Sequence, residues 1–466
     1  MPARPDPFRD DPALAHVPGC LRFSAFNTAT WQIALGTSLV LFAEQLGATA
    51  GQVGLLTSLV LLLTPLQVLA TVLLPRLGYR RLMLSGWGIR SLVLFVPVAL
   101  AAVAWRGGVH PWMADVLVGA IFLFCFFRAV GLAALLPWFY AIIPSAVRGR
   151  YFARESGLIG VASVGVLVLC TATYAFLPVY PALMVQYAAA MTGSVASWLA
   201  LRRLPAGPPP AATSFRSVLG GTPRLFTVPS AYRRYLLVSL VYWAVSAPVP
   251  VFVAYYLKAQ AGYAAVWVMA LELVRYVGMV ASARLIGHKI DRAGARPYLL
   301  GALVLYVGVA VFWLLRLRGH LDSGFGVAAA YLTYGLASTG WSVGNSHYLP
   351  KVATGVEHTL MLAVYGAATA LAGGTATLAW GWALRASGGG TGIDRGGFEA
   401  LFGSLLLGAG LTSWLLSRRP EPGADAAEPL IIHNTLLRPW QAAAYLASLG
   451  EIVPPIPDAA KEPRAT

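Results

Sequence analysis

Glu272 and Arg275 stand three residues apart near the middle of an apolar run, on one face if that run is a helix. Placed so, they can neutralise each other as a permanent pair. Alternatively the carboxylate takes up and releases a proton as its surroundings change, which is the chemistry of proton coupling. Arg128 lies inside another apolar run, where an isolated charge is expensive. It therefore requires an anionic group of a solute, a carboxylate across a cavity, or a fixed internal partner. Polar and aromatic residues recur at helical spacing in four runs: Asn27, Thr30, Trp31 and Ser38; Phe124, Phe127, Arg128 and Gly131; Ser239, Tyr242, Trp243 and Ser246; Ser338, Trp341, Ser342 and Asn345. Such stripes suit stacking and hydrogen bonding to a sugar, a nucleoside or an aromatic-ring compound. The same residue types also fasten membrane helices together. His347, at a helix end, reads as a hydrogen-bonded surface group rather than a proton relay. No Gly-x-Ser-x-Gly, His-Glu-x-x-His, Walker loop or intramembrane aspartate pair occurs, so neither an enzyme nor an ATP-driven pump is expected.

The elements that must hold these residues are membrane helices. With 58% hydrophobic and 11% charged residues, the 466-residue chain is too apolar for a water-soluble globule. Twelve apolar runs are each long enough to span: 22 to 46, 51 to 75, 82 to 105, 113 to 140, 153 to 177, 180 to 202, 235 to 257, 262 to 286, 297 to 316, 323 to 347, 358 to 384 and 398 to 417. The net charge of +16 comes from basic residues clustered between the runs. Before the distal tail is counted, 22 Lys and Arg fall on one side of the implied membrane and 6 on the other, which puts both termini in the cytoplasm. The expected organisation is a cytoplasmic segment 1–21, a six-helix bundle 22–202, a proline- and arginine-bearing cytoplasmic linker 203–234, a second bundle 235–419 and a cytoplasmic tail 420–466, mostly disordered. Cys20, Cys125 and Cys170 are widely separated, so no disulfide framework or metal site is expected. The N-terminus lacks the pattern of a cleaved signal peptide.

The two bundles look like copies. The run Gly287, His288, Lys289, Ile290, Asp291, Arg292, Ala293, Gly294, Ala295, Arg296 is a charged turn that must sit at a water face. Leu77, Gly78, Tyr79, Arg80 and Arg81 stand 216 positions before Ala293 to Pro297, glycine over glycine and arginine over arginine. Pro144 to Tyr151 likewise aligns with Pro350 to Glu357. The pattern Gly-x-x-x-Asp-Arg-x-Gly-x-Arg resembles the signature cytoplasmic loop of the major facilitator superfamily, over roughly residues 20 to 420. The run Trp138 to Glu155 looks like a prokaryotic branch of it with mostly unassigned substrates. The resemblance implies an all-α membrane protein of twelve transmembrane helices in two pseudo-symmetric six-helix bundles, with helices 1, 4, 7 and 10 lining a central cavity.

On that resemblance the solute is expected to meet Asn27, Trp31, Arg128, Tyr242, Trp243, Trp341 and Asn345, and Glu272 with Arg275 forms the candidate proton-coupling pair. The cytoplasmic gate is expected to use Gly287, Asp291, Arg292, Gly294 and Arg296 against Arg148, Arg150 and Arg154 at the start of helix 5. The first-half copy has Thr71 and Pro75 where the motif has glycine and aspartate. Its charges are read either as swapped, with Arg76 or Arg80 facing Glu357, or as decayed. The expected function is secondary active or facilitative transport of a small organic solute, with proton coupling open, by a monomer in the cytoplasmic membrane. The other reading is a non-transporting scaffold, an assembly or pigment-delivery protein on the same fold. No cofactor, metal or nucleic acid is expected.

Overall fold

Backbone amides and carbonyls inside a bilayer have no water to bond, so each crossing must satisfy them internally. The chain meets this demand with helices throughout. The computed structural model describes residues 14–208, 223–287, 290, 294–321, 323–353, 358–387 and 395–418. Asp291, Arg292, Glu357 and the tail lie outside the described residues, and for Gly287, Arg148 and Arg150 only membership of a helix is described.

The N-terminal half contains α1 (Val17–Ala34), α2 (Thr37–Gln45), α3 (Ala50–Leu62), α4 (Pro65–Ala70), a 3-10 turn (Thr71–Leu73), α5 (Leu74–Val93), α6 (Phe95–Gly107), α7 (Trp112–Ile142), α8 (Ser145–Phe176) and α9 (Val179–Arg202). The C-terminal half contains α10 (Ala231–Ser246), α11 (Pro248–Ala259), α12 (Ala265–Gly287), α13 (Arg296–Leu317), α14 (Gly324–Val352), α15 (His358–Ser387) and α16 (Arg395–Ser417). Among the described residues, eight helical stretches are long and apolar enough to cross a membrane. One of these, Ala50–Gly107, is 58 residues long, about 87 Å of helix against a hydrocarbon core of about 30 Å. It has to fold back, and does so at Gly78, whose φ of 72° only glycine adopts cheaply. Counted this way, with α1–α2 and α10–α11 each making one interrupted crossing, the chain makes six crossings per half and twelve in all.

Several sequence features explain where the helices begin and break. Thr49 and Gln52 form a reciprocal capping box at the start of α3, and Ser230 Oγ accepts the Arg233 amide at the start of α10. Pro250 has no amide proton for the Ser246 carbonyl one turn back, and the Tyr334 hydroxyl donates to that carbonyl instead, at 3.3 Å. Crossing 7 is therefore interrupted at Ala247 with the Ser246 carbonyl still bonded. The first crossing starts at Val17 and the seventh at Ala231, both earlier than the runs beginning at 22 and 235; Tyr232, Arg233 and Arg234 carry the seventh helix beyond its apolar stretch.

The duplication is visible in atomic detail. Gly294 repeats the turn of Gly78, with φ 77°. Two residues further on, Arg80 donates to the carbonyl of Arg202 at the end of α9, and Arg296 donates to the carbonyl of Ser417 at the end of α16. Each arginine thus caps the last helix of its own half, where unpaired carbonyls and the negative end of the helix dipole attract a cation. Replacing either Arg80 or Arg296 by glutamine is expected to cost about 1–2 kcal/mol. The check is a drop in the thermal unfolding midpoint of the detergent-purified protein, and an unchanged midpoint in both variants would refute the capping role.

Exposed Trp105, Trp112, Trp267 and Trp382 lie near the helix ends on the face away from both termini, the level at which amphipathic rings meet lipid headgroups. Cys20, Cys125 and Cys170 are buried free thiols.

Candidate solute site between the halves

The two halves meet along two seams, α8 against α12 and α3 against α15, and α2 also packs on α11. On the side away from the termini the contact is tight. A Cβ on Gly54 would stand 2.8 Å from Gly381 Cα, and one on Gly381 would stand 2.8 Å from the Ala50 carbonyl. The Tyr255 hydroxyl reaches the Ala48 carbonyl at 3.5 Å, and Lys258 lies 4.0 Å from Glu44. At mid-depth a hydrogen bond joins the halves directly, with Tyr276 of α12 donating to buried Gln32 of α1 at 2.9 Å.

In the C-terminal half, α14 shows which side faces the N-terminal half. Gly335 and Thr339 pack against α12, whereas Tyr334 and Trp341 pack against crossing 7. Both of those neighbours touch the N-terminal half, so the face of α14 between them looks across the interface. That face carries Ser338, Ser342, Asn345 and Ser346, of which Ser342 and Ser346 are exposed. Behind it stands a ring of aromatic side chains. Trp341 is buried and stacks on Tyr242 at 3.6 Å between centroids. Tyr242 bonds Tyr306 at 2.9 Å, and Tyr306 bonds Ser338 at 3.1 Å. The Asn345 carbonyl oxygen accepts from Tyr235 at 2.8 Å and from Tyr365 at 2.5 Å. The indole N–H groups of Trp243 and Trp341 have no protein acceptor among the described residues.

In the N-terminal half the expected residues Asn27, Trp31 and Arg128 are each half-buried. Arg128 makes no hydrogen bond or ion pair among the described residues. A residue with no counterpart in the sequence reading, Arg90, is wholly buried and donates to the Asn27 side-chain oxygen at 2.6 Å. Its guanidinium lies 3.8 Å over Trp87 and 5.2 Å from Phe124, one turn before Arg128. Arg90 lies in the third crossing, outside the four stripes read from the sequence, and its partner Asn27 sits on another helix. Gln32 and Tyr276 were missed for a similar reason: each is unremarkable until the halves are assembled.

Glu272 and Arg275 are brought together as the spacing implies. Arg275 Nε lies 3.0 Å from both carboxylate oxygens, Nη2 also donates to the carboxylate, and the guanidinium packs 4.8 Å from Tyr276. The pair points into the C-terminal half, where Arg275 lines a small void with Tyr331, Tyr334 and Trp313. A second carboxylate, Glu155 of α8, is half-buried and accepts from Ser24 and from buried Tyr151, the latter at 3.1 Å. Of the expected gate residues, Arg76 and Arg154 are exposed, and Arg80 and Arg296 make the helix-end bonds described above.

No protein-family model matches the chain, and no curated protein matches its sequence. Solved structures do resemble it. A mutant of the nucleoside transporter NupG superposes with a TM-score of 0.65 at 12% identity, over 86% of this chain and 99% of that one. A peptide transporter POT in complex with sulfate gives 0.64 at 13% identity, over 86% and 94%. A D-xylose–proton symporter gives 0.60 at 15% identity, over 88% and 98%. With twelve crossings in two matching halves, the chain has the all-helical major facilitator fold.

Proposed function

We propose that the protein is a secondary transporter that moves a small organic solute across the cytoplasmic membrane by alternating access, with both termini in the cytoplasm and the monomer as the working unit. The observation that supports this reading is the polar face of α14, which looks across the interface between the halves, where the N-terminal half carries the half-buried Asn27, Trp31 and Arg128. The solved structures of nucleoside, peptide and xylose carriers on the same fold support it. Asn27, Trp31, Arg128, Tyr242, Trp243, Trp341 and Asn345 are the proposed solute contacts. Buried Tyr242 and Trp341 act as the rigid backing of the site. The proposed cytoplasmic gate is the Gly287–Arg296 turn with Asp291 and Arg292, working against the α8 start that carries Arg148, Arg150 and Arg154. Its first-half counterpart is Arg76 and Arg80 with Glu357.

Reconstitution of the purified protein in proteoliposomes provides the test. Counterflow of at least one labelled nucleoside, sugar, peptide or organic acid is expected, and absence of exchange for all of them would leave the scaffold reading. Glu272 is the proposed coupling carboxylate. Glu272→Gln should abolish uptake driven by a pH gradient while leaving counterflow, which needs no net proton movement. Gradient-driven uptake that survives in Glu272→Gln but is lost in Glu155→Gln would move the coupling role to Glu155.

A further inference from the structure

A guanidinium inside a membrane protein needs an anion or water. In the N-terminal half Arg90 bonds Asn27 and lies 5.2 Å from Phe124, one turn before Arg128 on α7, and no carboxylate pairs with either arginine among the described residues. Arg90 is fully buried, yet its Nε and Nη1 have no acceptor among those residues. Its one hydrogen bond there is to a neutral amide, and Trp87 and Phe124 cushion the cation without neutralising it. Arg128, on α7 and half-buried, carries a second charge with no partner among the described residues. On the other wall the indole N–H groups of Trp243 and Trp341 are unpaired donors among the described residues, and the unpaired Ser239 hydroxyl can donate as well as accept. Unsatisfied buried polar groups are uncommon and call for a partner. A site holding two positive charges and a surplus of donors is complementary to an acceptor-only, negatively charged group, and it repels metal cations and amines.

Building on the transporter reading, we infer that Arg128 and Arg90, with Asn27, form an anion subsite that holds a carboxylate, sulfate or phosphate group of the solute. Arg128 makes the contact from the open side. Arg90, fixed by Asn27 and stacked on Trp87, supplies the second charge from behind, and the aromatic wall with Trp243 and Trp341 receives the remainder of the molecule.

The experiment measures ligand binding to the full-length protein, delipidated and placed in nanodiscs of zwitterionic lipid, by tryptophan fluorescence and thermal midpoint. The probes are benzoate and sulfate against benzamide and sucrose, at ionic strength held constant with choline chloride. Saturable binding of benzoate or sulfate is expected, with benzamide and sucrose silent. Arg128→Gln should weaken benzoate or sulfate about tenfold or more, equivalent to about 1.4 kcal/mol. Arg90→Lys, which keeps the charge but not the planar fork, should weaken it as well and guards against a folding defect in a neutral variant. Equal binding of benzamide and benzoate, or unchanged benzoate affinity in Arg128→Gln, would overturn the subsite. Displacement of benzoate by anionic phospholipid added to the nanodisc would assign the charges to a lipid headgroup and overturn the solute assignment. Loss of benzoate binding in Arg128→Gln with no counterflow of any solute would keep the subsite and sink the transporter reading. Wild-type counterflow of a neutral solute by Arg128→Gln would do the reverse.

Discussion

Arg275→Met is expected to be among the most destabilising single substitutions in the protein, and the double variant Glu272→Gln/Arg275→Met much less so. Both partners of the pair are nearly shut off from solvent, with side-chain exposures of 15% for Arg275 and 8% for Glu272. Removing the cation alone strands a carboxylate among Tyr276, Tyr331 and Tyr334, and breaking a buried pair in this way costs about 3–5 kcal/mol. Removing both charges leaves a neutral amide beside a thioether of similar bulk, and buried pairs replaced by uncharged groups are often close to neutral in stability. The single variant should therefore lose most of its folded yield or show a far lower thermal midpoint, and the double variant should recover most of it. Transport separates from stability here: the double variant should fold yet fail to couple uptake to a pH gradient if Glu272 carries the proton. Equal midpoints in the single and double variants would mean that the two residues are not energetically paired, whatever their geometry.

The sequence exposed the parts of this molecule that repeat or that violate the solvent they sit in. Apolar runs of spanning length marked the crossings, because a bilayer imposes length and hydrophobicity on each helix. The 216-residue echo of Gly78 and Arg80 in Gly294 and Arg296 marked the duplication, and these four residues turn out to occupy equivalent turns and equivalent helix-end bonds. Glu272 and Arg275 were legible as partners because they share one helix. Arg90 with Asn27, Gln32 with Tyr276, and Glu155 with Ser24 were not, since each pair joins helices that periodicity treats one at a time. The tryptophans at 243 and 341 read from the sequence as equivalent wall residues. In the fold Trp341 is buried on Tyr242 and only Trp243 is half-open, a difference that depends on which neighbour each helix face meets.

These cross-helix bonds also give α1 a particular place. Asn27 ties it to Arg90 within its own half, and Gln32, little more than a turn later, ties it to Tyr276 in the other. Next to Tyr276 stands Arg275, bonded to Glu272. One helix therefore bears on both the unpaired arginines and the ion pair. In a protein that switches between two packings of its halves, the Gln32–Tyr276 bond is one of the contacts that must be remade.

Gly54→Val and Gly381→Val are each expected to hold the halves apart at the end away from the termini and to block transport while leaving the protein folded. The two glycines face each other across the halves, and at both positions the atoms that an added Cβ meets below 3.0 Å belong to backbone. Backbone cannot rotate out of the way as a side chain does, so α3 and α15 must separate. Overpacking of this sort costs about 1–3 kcal/mol in the packed arrangement. In the alternative arrangement, where this seam is open, the valine faces space and costs nothing comparable. The difference shifts the two-state equilibrium by about fivefold to 150-fold toward the open form. Spin labels at Trp112 and Phe325, exposed residues at that end of opposite halves, should report a longer distance in either variant. The double variant should go little further, because both substitutions break the same contact. Gly119→Ala, at an exposed position where an added Cβ meets nothing within 4 Å, is the control and should leave distance and transport unchanged. Wild-type distances and wild-type counterflow in Gly54→Val would show that this seam stays shut throughout the cycle, and the alternating-access reading would fall with it.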